Sequence, residues 1–398
     1  MPLSADDATG SRIAEQRKLA RLTQKELAAR IAYSYSLLNQ VECGARPASD
    51  GLVHAVAEAL GIDPTLLTEP ARVTSAQADR LAAIMHPIRE ALDLYDLYDL
   101  DDLAPDGAAR RPLRVLVADA DRLCRQVRAT HLRAAASALP ELIADLTRTA
   151  QTAPSTETWR ALASAYRSAH DVALKVGHLD LAGIALDRMG WAAERASDPC
   201  LAAIRQYKRA LVHQRSGRSL GRRLVAAGHG LLGEPATREE IAVAGQLHLG
   251  AAAVAARHDD GAAVAEHIAA ARVLADRVGG EAREVHWLSF GRVNADLHEM
   301  GAYITMRRYD DALRQGRSMK LPPATLTSRR ARFLVDMAVA EMETGRSDAA
   351  LRHLAEARRA APEQTRYHPH TRQAVTGLLH TTRRTPESLT HMATWIGL

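Results

Sequence analysis

Two groups of side chains in this 398-residue chain have types and spacing suited to recognition chemistry. The first lies between Ser34 and Gly44, where Tyr35, Ser36, Asn39 and Gln40 are polar positions on one short segment. Asn and Gln amides can bond adenine bidentately, and Ser or Tyr hydroxyls can reach several bases. The second is His286-Trp287-Leu288-Ser289-Phe290-Gly291, followed by Asn294 and His298, the most polar-aromatic spot in an otherwise aliphatic region. Asn294 and His298 are four apart and share one helix face. An Asn amide offers a donor and an acceptor, which suits the backbone of an extended peptide. Trp287, Phe290, Asn294 and His298 are therefore candidate effector-binding residues. The competing assignment puts Trp287 and Phe290 in the core and makes His298 a satisfied or surface histidine.

Other patterns carry less chemistry. Gly228-His229-Gly230-Leu231-Leu232-Gly233 spells GxGxxG, but a dinucleotide site needs a strand before it. Here Glu234-Pro235 follows at once, so the motif reads as a helix end. There is no Walker motif, no HExxH, no GxSxG and no Ser/His/Asp set that spacing nominates, so neither an enzyme nor a cofactor is expected. Cys43, Cys124 and Cys200 are far apart without CxxC, which argues against a disulfide framework or a metal centre. Tyr367-His368-Pro369-His370 reads as a polar surface turn rather than a metal site. The acidic start reads as no signal peptide, and no apolar run approaches the roughly 20 residues of a membrane span. A soluble, cytoplasmic protein with no membrane partner is expected.

The composition points to helices as the elements that hold these side chains. Aromatics are 4%, Phe occurs twice, and Ala fills the core. Alanine has the highest helix propensity, and no stretch alternates at period two, so the fold class is all-α. Near the start, Thr23 with Glu26 forms a capping box for a helix Gln24–Ile31, buried through Leu27, Ala28 and Ile31. A three-residue break, Ala32-Tyr33-Ser34, precedes a third helix capped by Ser34, buried through Leu38 and Val41 and ended by Gly44. A fourth helix runs from about Asp50 to Leu60, and Asp63-Pro64 starts a short fifth. Net charge is only +5, but Ser11–Asp50 holds seven cations against four acids. Lysine is scarce elsewhere, at Lys175, Lys208 and Lys320 alone.

The stretch Leu22-Thr23-Gln24-Lys25-Glu26-Leu27-Ala28-Ala29-Arg30-Ile31, with Ser34 and Val41-Glu42-Cys43-Gly44, resembles the Cro/C1-type (XRE) helix-turn-helix family. The resemblance covers residues 11 to about 68 and implies a five-helix, lambda-repressor-like domain over residues 1–68. It implies that Tyr35, Ser36, Asn39 and Gln40 face base edges in the major groove, and that Thr23, Gln24, Ser34 and Arg46 lie at phosphates. It also matches Arg17 and Glu42 to an internal salt bridge. Ala32 departs from the usual glycine, which a left-handed turn would penalise.

Residues 69–111 read as a linker and connecting helix (about Ala76–Leu92, with Pro87 a candidate kink), then an acidic Asp93–Asp102 loop. Residues 112–398 alternate helix and short turn, with breaks near Pro140, Gly177, Pro199, Gly217, Gly261, Gly279, Pro322-Pro323, Gly345 and Pro362. Gly345, Ala350-Leu351, Ala357 and Pro362 stand at the spacing of a tetratricopeptide repeat, with Leu334 and Ala338 in its first helix. Whole-chain similarity to regulators of actinobacterial type joining these two parts implies a transcription factor. The partners implied are double-stranded DNA with a palindromic operator, a second copy of the chain, and a peptide or small-molecule effector. The alternative is a scaffold whose repeats dock a partner protein.

Overall fold

The structure is a computed structural model that describes residues 5–68, 75–97, 111–213, 218–322, 325–381 and 385–398. It is all-α. Five helices form an N-terminal head: α1 (Ala5–Leu19), α2 (Gln24–Arg30), α3 (Tyr35–Glu42), α4 (Asp50–Leu60) and α5 (Thr65–Thr68). Side-chain oxygens start three of them. Thr23 and Glu26 form the reciprocal capping box of α2, Ser34 caps α3 through the Leu37 N–H, and Ser49 caps α4 through the Leu52 N–H. Ile13, Leu27, Leu38, Val41, Leu52 and Val56 fill the core between them. Gly10 is required in α1, because a Cβ there would sit 1.9 Å from the Val41 carbonyl oxygen.

The body begins with α6 (Ser75–Asp93) and continues through α7 (Leu113–Arg128), α8 (Leu132–Thr152), α9 (Thr156–Val176) and α10 (Leu179–Arg195). Next come α11 (Pro199–Val212), α12 (Arg218–Leu232), α13 (Arg238–Arg257), α14 (Gly261–Val278), α15 (Arg292–Thr305) and α16 (Tyr309–Ser318). The chain ends with α17 (Thr327–Glu343), α18 (Ser347–Ala360), α19 (Pro362–Tyr367), α20 (Pro369–Thr381) and α21 (Glu387–Ile396). Neighbours pack as antiparallel hairpins, and alanines at the contacts let the axes approach closely. In α17 and α18, Ala338, Ala350 and Ala357 are fully buried and Gly345 turns the chain at φ 76°. Among the described residues the only β pairing is an isolated bridge, Ala282 to Phe290.

The row of hairpins curves until its two ends touch. Arg167 of α9 is 1% exposed and donates from Nη1 to the His286 carbonyl oxygen at 2.6 Å. Trp287 Nε1 donates to Asp121 of α7 at 2.6 Å, and the Arg133 N–H donates to Glu363 at 3.0 Å. The first helices of the body thus face segments more than 110 positions later in the chain.

Several expectations change. Pro140 lies inside α8 instead of ending it, because Leu139, Leu142 and Ile143 bury both sides of the proline. Pro87 lies within α6, as expected for the connecting helix. The connecting helix is part of the body core, since Met85, Ile88, Ala91 and Leu92 pack with α7 and α8. The acidic loop is partly anchored: Tyr95 meets Trp191 edge-on at 5.4 Å and lies under the Arg188 guanidinium at 3.5 Å. The rest of that loop (98–102), the linker at 69–74, Gly217 and Pro323 fall outside the described residues.

Phe290 packs into the notch left by Gly245 of α13, where a Cβ would lie 1.9 Å from the ring. Phe290→Ala should therefore cost about 3–5 kcal/mol, and Gly245→Ala about 1–3 kcal/mol by overpacking. Urea melting followed by circular dichroism checks both, and an unchanged midpoint in either variant would contradict this packing.

Candidate nucleic-acid interface

The head holds its third helix from behind. Arg17 of α1 bonds Glu42 in a fork, Nε to Oε1 and Nη2 to Oε2, each at 2.7 Å. A third bond runs from Nη1 to the Leu22 carbonyl oxygen at 2.7 Å. Both side chains are under 10% exposed. The pair spans α1, the start of α2 and the last turn of α3, so it sets the angle between the two helices of the turn. Gln24 extends it, donating to Glu42 Oε2 at 2.8 Å and to Asn39 Oδ1 at 3.3 Å. Beside it Lys18 is lowered to about 8, by burial first and then by Arg17.

With Leu38 and Val41 buried, Tyr35, Ser36, Asn39 and Gln40 are all exposed on the outer side of α3. Tyr35 is 46% exposed, high for an aromatic. A family model described as a helix-turn-helix domain matches residues 9–69. This segment is a helix-turn-helix domain. No curated protein and no solved structure matches the chain.

In the helix-turn-helix domain the turn costs less than its sequence suggests. Ala32 does not adopt positive φ; the chain leaves α2 at Ile31 in extended geometry, φ −116° and ψ 153°. The residues expected at phosphates differ among themselves. Arg46 is exposed on the loop between α3 and α4. Thr23 and Ser34 use their oxygens as caps, which leaves each hydroxyl hydrogen free to donate. Gln24 is instead engaged by Glu42 and Asn39, so in this conformation it orients Asn39, one of the residues expected at base edges. Lys25 and Arg30 on the exposed side of α2 add positive charge that the site residues alone do not supply.

The effector candidates do not form one cluster. Phe290 is fully buried core, and Trp287 crosses to α7, with Arg125 over its ring at 5.8 Å. His286, Trp287 and Ser289 take positive φ, so the segment before α15 is an irregular loop that separates the two aromatics from the helix face. Asn294 and His298 do share a face of α15. Asn294 is 1% exposed and donates to Gln246 at 3.3 Å. His298 is lowered to about 3 by burial first, with Arg329 and Arg332 adding, so it is neutral near pH 7. The sequence reading missed the charged groups that gather near them, Arg128, Asp171, Lys175, Lys208 and Arg329. The signal available was the scarcity of lysine, since two of the three outside the head lie here.

Two outcomes follow for the head. Ser36→Ala with Gln40→Ala should remove operator selectivity, at about 1–3 kcal/mol per lost base contact, while helicity stays intact; competition against random DNA checks it. Glu42→Ala strands a buried guanidinium and should destabilise the domain by about 3–5 kcal/mol. A melting curve that does not move would remove the Arg17–Glu42 pair from its organising role.

Proposed function

We propose that the protein is a homodimeric, sequence-specific transcriptional regulator of Cro/C1 (XRE) type, with a tetratricopeptide-like body that senses a peptide or small-molecule effector. The observation that carries this reading is the reading helix itself. Tyr35, Ser36, Asn39 and Gln40 are exposed side by side on a helix fixed from behind by a buried, bidentate ion pair. Neutral hydrogen-bonding groups on a rigid helix discriminate bases, whereas flexible cations would bind any duplex.

Contacts between body and head support this reading. Leu19 of α1 packs against the C-terminal apolar cluster, and His380 of α20 meets Ser11 at 3.4 Å and Glu15 at 3.2 Å. On the other side α6 follows the head and enters the first part of the body core. The head is therefore attached near both ends of the row of hairpins. An effector changes DNA affinity only if it prefers one arrangement of the two heads, and a change in curvature of the body would alter that arrangement.

In this reading the full chain is a dimer in solution and protects two half-sites whose centres lie about 34 Å apart, one turn of duplex. Light scattering gives the mass, and footprinting on DNA recovered with the protein gives the spacing. A monomer saturating a single half-site would rule out pairing, and equal protection of random duplex would rule out the regulator reading altogether.

A further inference from the structure

The inner face of the closed body carries more positive charge than its own carboxylates neutralise. Arg128 of α7 and Lys208 of α11 pair with the same carboxylate, Asp171 of α9; the Arg128 bond is 2.8 Å. One turn along α9, Lys175 bonds a neutral partner, the side-chain oxygen of Gln364. Arg329 in the first turn of α17 donates to a backbone carbonyl, that of Leu288, at 3.3 Å. Four cations from four helices thus share one carboxylate. They are close enough to oppose one another's charge. Lys175 is lowered to about 7 by burial first and then by Arg128, with Arg329 and Lys208 adding and Asp171 opposing. Lys208 is lowered to about 8 by burial, although Asp171 holds it up.

Neutral polar groups adjoin these cations. Gln246 Oε1 accepts from Asn294, and both Gln246 Nε2 and Asn294 Oδ1 are enclosed without a partner. Arg128 Nε is likewise enclosed and unpartnered. Asn294, Ser289 and Arg329 line one small cleft, at whose edge Glu281 is engaged by the Val293 N–H. Lys208 is buried and Arg128, Lys175 and Arg329 are half-buried, and enclosed cations that outnumber their counter-charge are costly. A stable core would replace them with apolar residues, so their retention on the inner face of a curved array calls for a ligand.

We propose that this interior is an oxyanion-binding site, in which Arg128, Lys175, Lys208 and Arg329 hold the phosphate or carboxylate group of a small anionic effector and Asn294 accepts a hydrogen bond from its body. The proposal rests on the reading of the body as a sensor. Arg128, Lys175 and Lys208 come from one side of the closure and Arg329 from the other. A bound anion would therefore draw the two sides together, and this is the differential contact that an effector needs.

The test is calorimetric titration of the full chain with inorganic phosphate and, separately, with acetate, at ionic strength matched with chloride. Saturable binding is expected, with proton uptake near neutral pH, because an adjacent anion raises the proton affinity of Lys175. Preference for phosphate or for acetate identifies the head group. Lys175→Gln and Arg329→Gln, which strand no carboxylate, should each weaken binding by about tenfold, and Lys175→Arg should restore it. No saturable binding of either anion, or undiminished binding by both glutamine variants, overturns the proposal. Operator binding measured on the same samples separates the two readings. An intact operator complex without anion binding removes the site alone, whereas loss of operator selectivity with anion binding retained removes the regulator.

Discussion

A buried arginine lies at the seam where the body closes. Arg167 sits among the alanines of α9 and has no carboxylate partner among the described residues; it donates to the His286 carbonyl oxygen and to Cys124 Sγ, 3.1 Å from Nη2. Burial works against a Cys124 thiolate, yet Arg167 and the Ser164 and Ser168 hydroxyls together lower the thiol. A cation in such a place needs acceptors around it, and Arg167 finds them at Nη1 and Nη2 while its Nε is enclosed without one. The loop before α15 supplies the Nη1 acceptor, and residues in left-handed geometry at His286, Trp287 and Ser289 shape the loop to do so.

Closure changes what those interior groups can do. In an open groove Lys175, Lys208 and Arg329 would be solvated, and Asn294 would find water. Enclosed, they share one carboxylate and lower one another's charge. The same closure brings α9 against α19 through Lys175 and Gln364, and α19 leads into α20, on which the head rests. Contact geometry therefore runs from the interior to the head within few elements. Coupling between distant sites requires an element with two arrangements that both sites bias, and the seam where the array closes has the position to be that element.

What could be read from the sequence was local. Thr23 with Glu26, Ser34 and Gly61 each fix a helix end through bonds to residues three or four positions away, so the head was legible almost residue by residue. The Arg17–Glu42 pair was legible only through family resemblance, because nothing local joins positions 25 apart. The Ala32 penalty was read from a family's usual glycine, and the chain avoids it by turning one residue earlier. Trp287, Phe290 and Asn294 looked like one cluster because they are near in sequence. A non-helical loop and the notch at Gly245 send them to three different surroundings. Pro140 misled for the converse reason, since tertiary burial outweighed a local breaker. The interior cations draw on α7, α9, α11 and α17, and no periodicity within one helix announces such a gathering.

The neutrality of the reading helix and the size of the body are connected. Phosphate contacts supply most of the affinity of a protein for duplex DNA, each adding about 0.9 to the salt slope. The exposed cations near the reading helix are few, with Lys25, Arg30 and Arg46 the principal ones. A single head of this kind can choose among sequences but holds none of them strongly. Joining two heads makes the second binding event intramolecular, which raises affinity by orders of magnitude when the spacing fits and gives nothing when it does not. In the proposed dimer, weak heads would make occupancy depend on the geometry with which the body pairs them. Strong, lysine-rich heads would bind whatever the body did, and an effector could not release them.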